Sequence, residues 1–173
     1  MPAFINLLFY IMKKILLLLL GLFLVIQLFR PAKNLSNDQT YHVSTKFNTP
    51  PEVANLMEGA CNDCHSNKTK YPWYSNVQPA AWWLAGHVNE GKEHLNFSEF
   101  TNRPAAYQYH KFEEVVELVK EEEMPLPSYT WFGLHPEAKL TQEERQLITG
   151  WAGAQMDFMK ANFPADSLVR KRR

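Results

Sequence analysis

The sequence predicts a mostly α-helical domain carried behind an amino-terminal membrane helix, and three observations support that prediction. Residues 15–29, ILLLLLGLFLVIQLF, carry no charge and follow Lys13-Lys14. Apolar side chains recur at helical spacing in several later segments, whereas no alternating strand pattern of useful length and no internal repeat appears. Both cysteines of the chain lie in the single pentad Cys61-Asn62-Asp63-Cys64-His65.

The elements follow in chain order. At about 1.5 Å per residue the uncharged run covers roughly 22 Å, short of a hydrocarbon core of about 30 Å, a gap that snorkelling of the flanking lysines and Arg30 closes. No small-residue cleavage site follows it, so residues 1–30 read as an uncleaved anchor rather than a removed secretory signal. Met12 offers a second start, because Met12-Lys13-Lys14 is a better charged leader than Met1-Pro2. Residues 31–48 are polar and read as a linker. The domain proper is expected over 49–163. Thr49-Pro50-Pro51-Glu52 supplies a cap, a proline at the first helical position and a glutamate in capping-box register, and Val53, Leu56, Met57 and Ala60 then share one face. Cys61–Ser75 reads as a loop, and Pro79 to about Asn89 as a second helix. Tyr107–Glu123 reads as a third helix that stops at Met124-Pro125-Leu126-Pro127. Thr141-Gln142-Glu143-Glu144 is a capping box for a last helix with the stripe Leu147, Ile148, Trp151, Gln155, Phe158 and Met159. Residues 164–173 form a basic tail.

Charge and composition narrow the function. The chain has 18 basic and 18 acidic residues in 173, a formal net charge of zero. The balance is uneven: residues 1–33 hold four basic residues and no acid, residues 170–173 are all basic, and 34–169 keep 10 basic against 18 acidic residues, a net of −8. Such a body offers no basic face for phosphates, which excludes a nucleic-acid binder. Of the first 29 residues, 23 are hydrophobic, so the remainder is lean for a globular domain and would gain from a large apolar cofactor. Lys13 and Lys14 ahead of the apolar run, with an acidic body after it, satisfy the positive-inside rule and put that body outside the cytoplasm.

Cys-x-x-Cys-His is the attachment pattern of c-type haem: two thiols three positions apart reach the two vinyl groups of one porphyrin edge, and the next residue offers an imidazole to the iron. Three plainer readings compete. A disulfide between Cys61 and Cys64 closes so small a loop that it stabilises little. A thioredoxin-like redox pair wants a βαβ setting that is missing, and a zinc site wants further ligands.

Around this pentad the sequence resembles the bacterial haem-binding domain family. The resemblance runs over roughly residues 45–160 and rests on CNDCHSNKTKYPWYS at 61–75, Trp82-Trp83 with His87 and Gly91 beyond, Asn96-Phe97-Ser98-Glu99, Met124-Pro125, and the run from Leu134-His135-Pro136 to Trp151. It implies a small cytochrome c-like helical domain around one covalent haem c. Cys61 and Cys64 would be its thioether attachments and His65 the proximal iron ligand, in a protein at the bacterial inner membrane with its carboxy-terminal domain in the periplasm.

A sixth ligand must come from elsewhere. Met124 is the expected distal ligand, since it follows a helix in a proline-held loop and precedes a carboxy-terminal amphipathic helix, the order in which class I cytochromes c present their methionine. The plainer reading is a helix-end hydrophobe in the core. His87 and His135 are the alternatives, and His94 and His110 are further histidines in the domain. Arg103, Lys68 and Lys70 are candidates to pair with haem propionates. The expected activity is electron transfer rather than substrate turnover, because no triad, paired carboxylates or phosphate loop accompanies the haem motif. The competing classes are a five-coordinate haem sensor or peroxidase-like enzyme and a haem-free binding module. Glu113, Glu117 and Glu121 on the third helix make an acidic face on which a redox protein partner would dock, the plainer reading being a solvated helix face.

Overall fold

A computed structural model describes residues 2–170, and among them the structure is helical with no strand. The basic tail beyond Arg170 lies outside the described residues. The chain divides into two compact units.

The first unit combines residues 1–33 with 71–87. Helix α1 (Pro2–Ile26) is mostly apolar, and its residues 4–25 are exposed. Within it Phe4–Ile26 is long and apolar enough to cross a membrane, because 23 residues at about 1.5 Å each reach roughly 34 Å. The helix therefore begins well before Ile15 and stops at Ile26, three residues short of the predicted end, where Gln27, Leu28 and Phe29 form a turn. The turn is fixed by side-chain amides. Gln27 Nε2 donates to the Gln78 carbonyl at 3.3 Å while Gln78 N donates back to Gln27 Oε1 at 2.8 Å. The 71–87 segment contains a short 3-10 turn, Trp73–Asn76, and the first half of α4 (Ala80–His94).

The second unit comprises 34–70 and 88–170. Its amino-terminal part corrects the expectation of a free linker. Val43 and Phe47 are completely buried, a 3-10 turn occupies Val43–Thr45, and isolated bridges join Leu35 to Lys68 and Tyr41 to Glu99. The polar composition of 31–48 hid two apolar anchors four residues apart that dock the segment onto the core.

Helix α2 (Pro51–Ala60) starts one residue later than the sequence suggested, and Thr49 does not cap it: its hydroxyl donates to the Phe47 carbonyl at 3.1 Å. A single helical turn, α3 (Asn62–His65), follows directly where a loop was expected. Helix α5 (Ala105–Lys120) ends three residues before the predicted Glu123, because Glu122 takes a left-handed backbone, φ 62°, and turns the chain. Helix α6 (Gln142–Asn162) has the predicted capping box in full, with Thr141 Oγ1 accepting from Glu144 N and Glu144 Oε2 accepting from Thr141 N.

Helix α6 packs along α5 and crosses α2. Their shared core is aromatic. Phe112 meets Phe100 at 4.9 Å, Phe47 at 5.0 Å and Trp151 at 5.5 Å between centroids, the last two edge to face. Trp151 satisfies its indole N–H on the Asn48 carbonyl at 2.9 Å. In the predicted stripe of α6, Ile148, Trp151, Gln155 and Met159 are buried, whereas Leu147 and Phe158 face outward.

Candidate functional site

Helix α2 stops at Cys61, whose N–H donates to the Met57 carbonyl at 2.9 Å and whose own carbonyl accepts from Cys64 N at 3.2 Å and His65 N at 2.9 Å. Cys61 therefore ends one helix and caps the next. Because 61, 64 and 65 stand at i, i+3 and i+4 of one turn, the two thiols and the imidazole share one side of it. Both thiols are free and half-buried. Burial, with Cys64 as a lesser cause, pushes the Cys61 thiol up to about 12, and burial followed by the Asp63 charge pushes Cys64 up to about 11. Protonated thiols are poor nucleophiles, which argues against a thiolate redox pair. Among the described residues no group of three or more His, Cys, Asp or Glu side chains is placed to hold a metal ion.

The His65 ring is fixed by the carboxy-terminal end of α4. Its Nδ1 lies 3.0 Å from the Gly91 carbonyl and 3.0 Å from the Leu95 carbonyl. Carbonyls only accept, so Nδ1 carries the proton and Nε2 is left with its lone pair. Burial lowers the pKa of His65, which disfavours the charged ring, opposed by the two carbonyl contacts. A neutral imidazole donating through one nitrogen to a backbone carbonyl is the form in which histidine ligates a metal through the other. His65 is also pinned through its backbone, Phe97 N donating to its carbonyl at 2.8 Å.

Contacts on two sides of the pentad hold it in place. A Cβ built on Gly91 would sit 2.7 Å from the Cys64 carbonyl oxygen and 3.0 Å from Cys64 Cβ, so α4 passes α3 at a distance that only glycine permits. Asp63, between the cysteines, accepts from Lys70 N at 2.7 Å through Oδ1 and from the Tyr129 hydroxyl at 2.6 Å through Oδ2, while its carbonyl accepts from Thr69 Oγ1 at 2.6 Å. The Tyr129 bond ties the Pro127–Gly133 turn to the pentad.

Met124 is half-buried and packs on Val119, Leu140 and Ile148, the cluster that also receives Leu56 and Ala60 of α2, the latter adjacent to Cys61. Its N–H donates to the Leu118 carbonyl at 3.0 Å, and its carbonyl accepts from Arg145 Nη1 at 2.9 Å, the same nitrogen that donates to Val119 O at 2.8 Å. Of the histidine alternatives, His135 is buried and stacked on Tyr129 at 4.0 Å with an interplanar angle of 10°, with Nδ1 3.3 Å from Glu137 Oε1. His87 belongs to the first unit, where it donates through Nδ1 to the Trp83 carbonyl at 2.9 Å and lies against the Trp83 ring. His110 sits between Glu113 and Glu114, and His94 is exposed. Lys70 pairs with Glu58 at 2.8 Å, Arg103 stands over the Tyr107 ring at 4.8 Å, and Lys68 is exposed. Glu113, Glu117 and Glu121 are all exposed, at four-residue intervals that make one row.

Gly91, Tyr129 and Arg145 support the site without having been assigned a role from sequence. Only Arg145 left a trace: a cation in the first turn of a helix opposes the macrodipole, which points to a partner elsewhere.

A free imidazole nitrogen beside two thiols on one turn, inside a lean helical domain, fits a haem group, and the molecule is a helical haem protein by class. The model of the haem-binding domain family matches residues 21–154, and the chain belongs to that family. No curated protein and no solved structure matches it.

Proposed function

We propose that this haem-binding protein is a membrane-anchored monohaem c-type cytochrome that passes single electrons between partners at the periplasmic face of the bacterial inner membrane. The observation that carries the reading is the His65 ring, fixed with Nδ1 on the Gly91 and Leu95 carbonyls, which leaves Nε2 for iron. Cys61 and Cys64 hold the group by thioethers from the same helical turn. When bound, haem supplies a one-electron iron couple. Met124 is the distal ligand in this reading, supported by its packing on the cluster that also receives Ala60 and by the Arg145 bond that holds its carbonyl. A thioether ligand raises the potential of the couple. The uncharged run from Ile15 to Ile26 within the apolar segment Phe4–Ile26 is the anchor, and Lys13 and Lys14 ahead of that run orient it with the body outside. The exposed row Glu113, Glu117 and Glu121 is the docking face for a basic redox protein.

Carbon monoxide binding to the reduced, haem-loaded protein tests the electron-carrier reading. A six-coordinate carrier keeps its low-spin spectrum under the gas. Rapid formation of the carbonyl adduct would instead mark an open distal site, as in a five-coordinate sensor or peroxidase-like enzyme.

A further inference from the structure

The end of α1 is not a free hinge, and its fastening sets the depth of a second set of residues. Gln78 is almost wholly buried, and besides its reciprocal pair with Gln27 it donates through Nε2 to the Phe29 carbonyl at 2.7 Å. The same carbonyl accepts from Trp82 Nε1 at 2.9 Å. Lys33, four residues further on, donates to Asn76 Oδ1 at 3.1 Å and lies 5.0 Å from the centre of the Tyr71 ring. Residues 27–33 are thus bound to 71–82 at several points, within one compact unit.

This segment displays large apolar side chains for which the unit offers no cover. Trp73 is 74% exposed, Trp83 45% and Trp82 42%, beside Leu28 at 80% and Phe29 at 62%. Three exposed tryptophans within eleven residues would be a liability in water. Tryptophan has one environment that suits its apolar ring and polar N–H together, the boundary between hydrocarbon and headgroups.

We propose that the segment Tyr71–Trp83 is a second membrane contact, seated in the outer interface of the same bilayer that α1 crosses. The inference rests on the anchor reading and goes beyond it. If the apolar stretch that ends at Ile26 spans the hydrocarbon, Gln27 and Phe29 lie at its outer boundary. Groups within about 3 Å of them lie there too, because a hydrogen bond admits no greater separation. Counted from Lys14, the uncharged part of α1 is shorter than a bilayer, and interfacial tryptophans at its outer end anchor that end at the headgroup boundary. Arg30 and Lys33 stand at the same level and match anionic headgroups.

The test uses the haem-loaded full chain in phosphatidylethanolamine–phosphatidylglycerol vesicles. One sample carries a photoactivated carbene probe on the lipid acyl chains, a parallel sample carries the probe in the water, and labelled residues are read by mass spectrometry. The expected result is lipid-borne label on Trp73, Trp82 and Trp83 as well as on residues 15–26. Label on 15–26 from the lipid, with the three tryptophans labelled only from water, would overturn the second contact and leave the anchor intact. Absence of lipid-borne label from 15–26 would overturn both.

Discussion

Gly91 lies directly against Cys64, so close that a methyl group at 91 would come within 2.7 Å of the Cys64 carbonyl oxygen. The contact links the two halves of the site. The helix that passes the cysteine turn at this distance is the one whose Gly91 carbonyl accepts from His65 Nδ1, so the position of the thiols and the orientation of the ring have one cause.

Gly91→Ala separates this close approach from ordinary helix propensity. In an unencumbered helix interior the change stabilises by about 0.5–1 kcal/mol. Here the new methyl meets backbone, which cannot rotate away, and overpacking of that kind costs about 1–3 kcal/mol. The expected outcome is a net loss of stability in denaturant unfolding, with an altered haem spectrum as the Gly91 carbonyl moves off His65. A stabilised variant with an unchanged spectrum would show that the approach is not tight.

Arg145 is the bracket of the Met124 loop, one of its nitrogens serving two carbonyls. Arg145→Gln leaves Val119 O and Met124 O without that donor in a half-buried setting, at a cost of about 1–3 kcal/mol. If Met124 is the distal ligand, the far-red charge-transfer band of ferric methionine ligation weakens in this variant and disappears in Met124→Ala. A parent chain without that band, and a low-spin spectrum unchanged in Met124→Ala, would move the assignment to a histidine, first to His135, the buried histidine of the second unit stacked on Tyr129.

Stability on the acid side depends in part on Glu58. Hydrogen bonds from Lys70 first, then Asn62, hold its carboxyl below the ordinary value of 4.5, burial opposing. The folded pKa is the lower one, so the contribution is fully present above about pH 4.5 and is lost as pH falls through the folded value. Both partners of the pair are at least half exposed, which limits the effect to about 1 kcal/mol or less. Unfolding free energies between pH 7 and pH 3 should therefore fall less steeply for Glu58→Gln than for the parent chain.

The row Glu113, Glu117 and Glu121 steers a basic partner if it is a docking face. Electron transfer to a cationic redox protein should then slow steeply with rising salt, and more weakly in the triple Gln variant. Rates insensitive to ionic strength would leave the row as a solvated helix face.

Much of the architecture was legible because it is local. The α6 capping box and the buried residues of its stripe follow from spacing within one segment, and the pentad is read directly from the sequence, although the helical turn over Asn62–His65 was expected as a loop. What failed depended on distant partners. Residues 31–48 read as a tether since Val43 and Phe47 are only two apolar residues in polar company, and what buries them is a core built from α2, α5 and α6. Thr49 is the exception, a local failure: it looked like a cap, yet its hydroxyl donates to the Phe47 carbonyl two residues before it. The Asp63–Tyr129 bond spans 66 residues and has no signature in either neighbourhood. Gly91 lay beyond the predicted end of the second helix near Asn89, and the Cys64 carbonyl that requires a glycine there appears only when α4 is packed against α3.

The central claim, haem held covalently by Cys61 and Cys64, is tested most directly by the mass of the denatured chain after expression in a host that matures c-type cytochromes. The account predicts a mass raised by one haem in the parent and in Met124→Ala, and the bare polypeptide mass in the Cys61→Ala/Cys64→Ala double variant. A bare polypeptide mass for the parent chain, with haem lost on denaturation, would contradict it.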